Sequence, residues 1–338
     1  MKHLFYVHSY VTYLVVLGII DYYRIKDDDV CIFCARLNIH QTRFRCISVD
    51  TNFKKLWGLP AYGTRLLYIK KRVEILKLDN FIKNITKGSE YICYLPSDGH
   101  YLQQLIGSHK LCNQVHYIEE GLFSYNDDFR KKSLPFRGKF SQIKRYLNTG
   151  GRNIIPQEAE RKSILFTLFD EKLYSGILRK KCISLDLNAL EYDGLKLQHS
   201  AILVMNAFRD ADDDVISAVL SILERFVSTY RNMDMELYIK HHPYSSDKFI
   251  FQVEEIFRNS DVNCHIIDNS VNIELLMCNS TDLYIYGFFS ASMMYGALLG
   301  HRVHSFIEEF SRYSENCQKY LALNFHVPEI FYNTISSY

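Results

Sequence analysis

Apolar positions along the chain fall into short continuous runs separated by longer stretches with helical spacing, and this alternation occurs twice. In the first half, runs at 4–7, 30–35, 91–95 and 114–118 predict buried strands, with helix-like segments between them. In the second half, runs at 202–205, 236–240, 265–267 and 283–286 predict strands. Helices are expected over 215–226, where Val215, Val219, Leu223 and Phe226 share a face, and over 272–277 and 290–299. Strands alternating with helices predict parallel sheets covered on both faces, so the expected fold class is α/β with two Rossmann-like domains. The 338 residues suffice for two domains of ordinary size. The expected divisions are 1–158, 159–310 and a final segment, 311–338.

The N-terminal stretch has two readings. Residues 11–20 are nearly all apolar and Lys2 precedes them, as in a secretory signal or an anchor. His8, Ser9, Tyr10, Thr12 and Tyr13 interrupt the run, and what remains is too short to span a bilayer. No small-residue cleavage site follows. A strand, a short loop and a buried helix account for it better, which is how a Rossmann-like domain opens.

Composition adds little to that pattern, but charge does. The chain is 48% hydrophobic, with a formal net charge of +2. Residues 1–152 carry 24 Lys and Arg against 13 Asp and Glu, and the remainder carries 16 against 25. Basic clusters occur at Lys70-Lys71-Arg72, at Arg130-Lys131-Lys132 and over 139–145, with Phe53, Trp57, Leu59, Tyr62 and Leu66 among the bases. That mixture suits an anionic membrane surface, and predicts a cytoplasmic protein held peripherally at the inner face of the cytoplasmic membrane. No nucleic-acid-binding signature accompanies it. The nine cysteines form no disulfide-like framework. Cys31 and Cys34 sit three apart on an expected strand, so their thiols point to opposite faces and are not expected to share a metal.

Chemistry is expected where parallel strands end, because ligands bind outside their carboxyl ends. Glu119-Glu120-Gly121 follows one strand and places adjacent carboxylates there. Their side chains diverge, so either could face the cleft and take a proton from a hydroxyl. His242-Pro243 follows another strand. A histidine there can donate to a phosphate, and the proline restricts its exit. Ser290 and Ser292 flank the start of an apolar helix, where a serine caps and the amides attract anions. Glu274, on the short helix between them, is a candidate for gripping a ribose diol. His8, Ser9 and Asp98 follow first-half strands and are candidates to line the cleft. Asp210-Ala211-Asp212 has the form of a manganese motif, but it stands where the 215–226 helix needs an N-cap, which is the preferred reading.

Taken in order, Glu119-Glu120-Gly121, His242-Pro243 and Ser290-Ala291-Ser292 resemble the motifs of bacterial GT-B sialyltransferases. That group includes the lipooligosaccharide sialyltransferases and capsular polysialyltransferases. One departure is that Ala291 separates two serines that are usually adjacent. The resemblance implies two facing Rossmann-like domains and an inverting transfer from CMP-sialic acid, with no cofactor and no essential metal. It implies a general base from Glu119 or Glu120, with Glu120 preferred because it is next to the turn at Gly121. His242 would act on the leaving phosphate, and Ser290, Ser292, Pro243, Glu274 and Asn206 would bind CMP. The first domain would bind the acceptor, a terminal sugar such as galactose on a lipid-linked or surface oligosaccharide, and 311–338 would cross back to it. The rival expectations are a GT-B transferase for Kdo or a CDP-polyol phosphotransferase, and, from another class, a non-catalytic capsule or O-antigen assembly protein.

Overall fold

The computed structural model describes residues 1–35, 44–57, 67–97, 100–121, 143, 146–147, 150–152, 163–168, 179–184, 194–324, 331–332 and 335–337. It divides into two compact units, Met1–Glu191 and Tyr192–Tyr338. Asp98 and most of the basic clusters at 130–132 and 139–145 lie outside the described residues.

The first unit opens with β1 (Lys2–Val7) and α1 (Tyr10–Tyr23). The helix starts where it does because Ser9 and Thr12 cap each other reciprocally. Thr12 N–H donates to Ser9 Oγ at 3.2 Å and Ser9 N–H to Thr12 Oγ1 at 3.1 Å. Leu14, Val15, Val16 and Ile19 of α1 are fully buried, so the N-terminal apolar run is a core helix. There follow β2 (Val30–Cys34), β3 (Arg45–Ser48), α2 (Val49–Asn52) and α3 (Leu67–Ile85). Next come β4 (Tyr91–Leu95), α4 (Tyr101–Gly107), β5 (Cys112–Ile118), β6 (Ile164–Thr167) and β7 (Arg179–Cys182). The sheet order is β3-β2-β1-β4-β5-β6-β7, and every pairing is parallel. Burial pushes the Cys31 thiol up to about 12, and the free thiols of Cys34 and Cys46 share a hydrogen bond.

The second unit runs β8 (Ala201–Val204), α5 (Asp213–Tyr230), β9 (Leu237–Lys240), α6 (Asp247–Arg258), β10 (Cys264–Ile266) and α7 (Ile273–Cys278). It continues with β11 (Tyr284–Gly287), α8 (Ala291–Leu298), β12 (Arg302–Ser305), α9 (Ile307–Tyr313), α10 (Glu315–Asn324) and β13 (Ser336–Ser337). Its order is β10-β9-β8-β11-β12-β13, again parallel throughout. The stripe on α5 is buried as its spacing requires, through Val215, Val219, Leu223 and Phe226. Each such fully buried side chain contributes about 1.5–3 kcal/mol. Asp212 caps α5, its Oδ1 accepting from Val215 N–H at 2.9 Å, so the Asp-x-Asp motif supplies the cap expected of it.

Two expectations about domain limits are revised. The boundary near 158 falls inside the first unit, because β6 and β7 extend its sheet beyond the basic, non-periodic stretch. That stretch resembles a linker in composition, but strand pairing carries the unit past it. The C-terminal segment packs on the second unit: Cys317 and Tyr320 of α10 belong to its core, and β13 pairs with β12. No helix among the described residues is long and apolar enough to cross a membrane.

Each sheet reverses direction once. In the first, the chain moves outward from β1 to β3 and returns to place β4 on the other side of β1. In the second, it moves from β8 to β10 and returns with β11. The crevices at these reversals lie outside β1 and β4 in one unit and outside β8 and β11 in the other.

Candidate active site

In the first unit, β5 delivers Glu119, Glu120 and Gly121. Glu119 is fully buried. Its backbone N–H donates to Phe166 O at 3.0 Å, and its Oε2 accepts from Leu168 N–H at 2.8 Å. Both partners belong to the end of β6, so this carboxylate ties two strand ends together. Glu120 is half-buried. Gly121 has φ 101°, a left-handed turn that a side chain disfavours. Of the adjacent pair, Glu120 is therefore the carboxylate with access to solvent. His8 and Ser9 stand at the end of β1, beside the reversal. The Ser9 hydroxyl is occupied as the N-cap of α1.

In the second unit, four neighbouring strands, β9, β8, β11 and β12, end on one edge of the sheet, and each contributes. After β9, the two histidines part. His241 is buried, with Nε2 3.4 Å from Glu254 Oε1, a contact without hydrogen-bond geometry. His242 is half-buried, and its Nδ1 accepts the Tyr244 N–H at 3.1 Å. An acceptor Nδ1 leaves the ring proton on Nε2. Burial, then the positive charge of Arg209, holds the His242 imidazole below the ordinary histidine value, so it is a neutral donor near pH 7. Pro243 is exposed and directs the chain into that turn.

After β11, the chain reaches Ser290, the N-cap of α8, whose Oγ accepts from Ser292 N–H at 3.2 Å. This loop is clamped from both sides. Asn206, two residues beyond β8, donates from Nδ2 to Phe289 O, and its Oδ1 accepts from Phe289 N–H at 3.2 Å. Ser305, at the end of β12, donates from Oγ to Phe288 O at 2.5 Å. Close approach makes the clamp feasible: a Cβ on Gly287 would lie 2.6 Å from Val204 O, so only glycine lets β11 and β8 end so close together. Asn206 thus holds the backbone of the serine loop with both ends of its amide.

Ser292 and Glu274 are also joined. The Ser292 hydroxyl donates to Glu274 Oε1 at 2.7 Å, and Glu274 Oε2 accepts from Asn272 Nδ2 at 2.8 Å. This buried carboxylate links the start of α7 to the start of α8. Nearby, buried Lys240 donates to Asp268 O at 2.6 Å. Its pKa is lowered by burial, opposed by the charges of Asp268 and Glu274. Of the two serines, Ser290 carries the hydroxyl that is not committed to a carboxylate. Residue patterns pointed to Ser290, Ser292, His242 and Glu274, and the structure brings them to the ends of the strands and helices of one sheet. No sequence pattern singles out Arg209, Lys240 or Ser305, because a single basic or hydroxyl residue at a strand end carries no periodic signal. Among the described residues, no group of three His, Cys, Asp or Glu side chains is gathered closely enough to hold a metal ion.

Comparison with known proteins bears on this geometry. The family model described as Alpha-2,8-polysialyltransferase (POLYST) matches residues 3–304, nearly the whole chain. No sequence among the curated proteins matches it. A solved sialyltransferase from Photobacterium damsela is 12% identical, with a TM-score of 0.50, and the match covers 100% of this chain and 81% of that one. A structure described as a UDP-N-acetylglucosamine 2-epimerase from Listeria monocytogenes is 11% identical, with a TM-score of 0.52, covering 95% and 82%. At these identities the likeness establishes the fold, and the family match establishes the class. The chain belongs to the alpha-2,8-polysialyltransferase family and is a sialyltransferase, a glycosyltransferase of the GT-B fold class.

Proposed function

We propose that the enzyme moves sialic acid from CMP-sialic acid to a terminal sugar of a bacterial surface glycan, with inversion and without an essential metal or cofactor. The observation that best supports this is the state of His242. Its Nδ1 is taken by the Tyr244 N–H, and Nε2 carries the proton at the sheet edge where Ser290 caps α8. A neutral N–H donor and helix amides suit a leaving group that bears a single phosphate. Glu120 takes the proton from the acceptor hydroxyl as that oxygen attacks the anomeric carbon. The bond to the phosphate oxygen breaks, and CMP leaves with His242 donating to its phosphate. Glu119 holds the Glu120 turn, and Asn206 and Ser305 hold the loop of Ser290. Glu274, aligned by Ser292, is the residue for the ribose hydroxyls, and Pro243 borders the phosphate.

The acceptor is galactose, as the sequence resemblance implies, or sialic acid, in keeping with the alpha-2,8-polysialyltransferase family. The basic first half favours a lipid-linked acceptor at the anionic inner face of the cytoplasmic membrane. The test is CMP release and product formation from CMP-sialic acid with a panel of galactosides and sialyl-terminated glycans, with and without EDTA. Folded protein that releases no CMP with any acceptor would overturn the reading, and loss of activity in EDTA would overturn its metal-independent part. Cosedimentation with phosphatidylglycerol vesicles, but not with phosphatidylcholine vesicles, is expected of the membrane association. Equal recovery with both would remove it.

A further inference from the structure

The loop after β8 contains a feature that the proposed mechanism does not use. Phe208 and Asp210 have φ values of 43° and 55°, although neither is glycine. Side chains with a Cβ are disfavoured in that region, and such residues persist only where surrounding structure holds them. Here it does so from several directions. The Phe208 ring is buried and packs against Phe249, Phe288, Phe310 and Tyr320 at centroid distances of 5.2–6.1 Å. Tyr320 donates from its hydroxyl to Arg209 O at 2.7 Å. Two residues on, Asp212 caps α5.

The residue between the two left-handed positions is Arg209, which this backbone turns outward. Its guanidinium carbon lies 4.0 Å from the centroid of the Tyr244 ring. Tyr244 is the residue whose N–H holds His242 in its tautomer. Arg209 is exposed, and among the described residues no carboxylate pairs with it. Arg209, Tyr244 and Lys248 line a cavity of about 1130 Å³ in the second unit, whose wall also carries the carboxylates Asp210, Asp213 and Glu224. A permanent cation is thus stacked on an aromatic face, beside the histidine, with its donors unengaged. A stacked guanidinium is pre-organised for bidentate pairing with a carboxylate or phosphate.

We infer that Arg209 is an anion-binding substrate contact that receives a negatively charged group of the sugar nucleotide. The inference rests on the proposed donor, which carries two such groups, the phosphate and the carboxylate of the sugar. His242 is neutral near pH 7 and so cancels neither charge, whereas Arg209 remains charged. The strained loop, the Tyr320 contact and the stacking on Tyr244 together fix a side chain that would otherwise sweep freely through solvent.

The test uses Arg209→Met, which keeps the apolar stem on Tyr244, and Arg209→Lys. Calorimetry with CMP and with CMP-sialic acid, and steady-state kinetics, are read beside thermal midpoints. Arg209→Met is expected to keep the wild-type midpoint and to raise KM for CMP-sialic acid about 10- to 100-fold, the loss typical of a hydrogen bond to a charged group. Arg209→Lys is expected to recover part of that loss. If CMP binds as in the wild type, the sugar carboxylate is the partner. If CMP weakens equally, the phosphate is. Arg209→Met with affinity and KM within about two-fold of wild type would overturn the contact alone. Wild-type protein that binds neither ligand would overturn the donor reading, and the contact with it.

Discussion

Replacing Glu119 and Glu120 one at a time separates support of the fold from proton transfer. Glu119 is fully buried and accepts the Leu168 N–H at 2.8 Å, and Leu168 is itself 3% exposed. Glu119→Ala strands that amide away from water, at about 1–3 kcal/mol. It also removes apolar contact worth about 0.8 kcal/mol per buried methylene. The sum, about 2–4 kcal/mol, lowers the thermal midpoint of the first unit by roughly 4–16 °C. Glu119→Gln keeps an acceptor oxygen and is expected to lose about half as much. Glu120 is half-buried, so Glu120→Gln should leave stability within about 0.5 kcal/mol. As the proposed general base, however, Glu120 is expected to carry about 10²- to 10⁴-fold of the rate, a barrier of about 3–5.5 kcal/mol. Urea and thermal unfolding, read beside initial rates of CMP release, resolve the two effects. An active Glu120→Gln protein, with Glu119→Gln inactive at undiminished stability, would refute the assignment.

Asn206→Ala is expected to free both backbone groups of Phe289, costing about 2–4 kcal/mol and raising KM for the donor; wild-type values in urea unfolding and kinetics would show that the clamp is dispensable. Ser292→Ala and Glu274→Gln share one hydrogen bond, so a double-mutant cycle in donor binding should give a coupling of about 0.5–3 kcal/mol, and strict additivity would deny that they act together. Burial, reinforced by Arg152 and Lys110, pushes His109 down to about 4, and burial, reinforced by His3, does the same for His116, against 6.5 for an ordinary histidine. Unfolding then takes up protons between those values, so stability is complete above pH 6.5 and is lost as pH falls toward 4. Urea midpoints across that window should decline, and His116→Gln should flatten the decline; an unchanged slope would exclude His116.

Much of the site was legible because strand and helix periods are local. The runs at 91–95 and 283–286 reappear as β4 and β11, the latter displaced by one residue, and the motif serines flank the start of α8. Strands ending in Glu119 and His242 could be read from alternation over a few residues, since each side chain's face depends on its immediate neighbours. The strands β6 and β7 were not legible as members of the first sheet. A basic stretch without periodicity precedes them, and pairing with β5 depends on residues about fifty positions away, as the Glu119 contact with Leu168 illustrates.

The sequence by itself determined the alternating α/β organisation, the strand-end positions of Glu119, Glu120 and His242, and the capping role of the Asp210-Ala211-Asp212 motif, because these follow from periodicity and residue chemistry within a few positions. Only the tertiary structure decided which glutamate is buried and which histidine is half-open. It also showed that Asn206 clamps the serine loop, that Ser292 is bound to Glu274, and that Arg209 is turned toward Tyr244. The glutamate pair and the serine-loop clamp depend on partners distant in the chain, 49 residues apart for Glu119 and Leu168 and 83 for Asn206 and Phe289. A polar side chain shows its role only when the fold has chosen which hydrogen bonds it must satisfy and which it leaves for substrate.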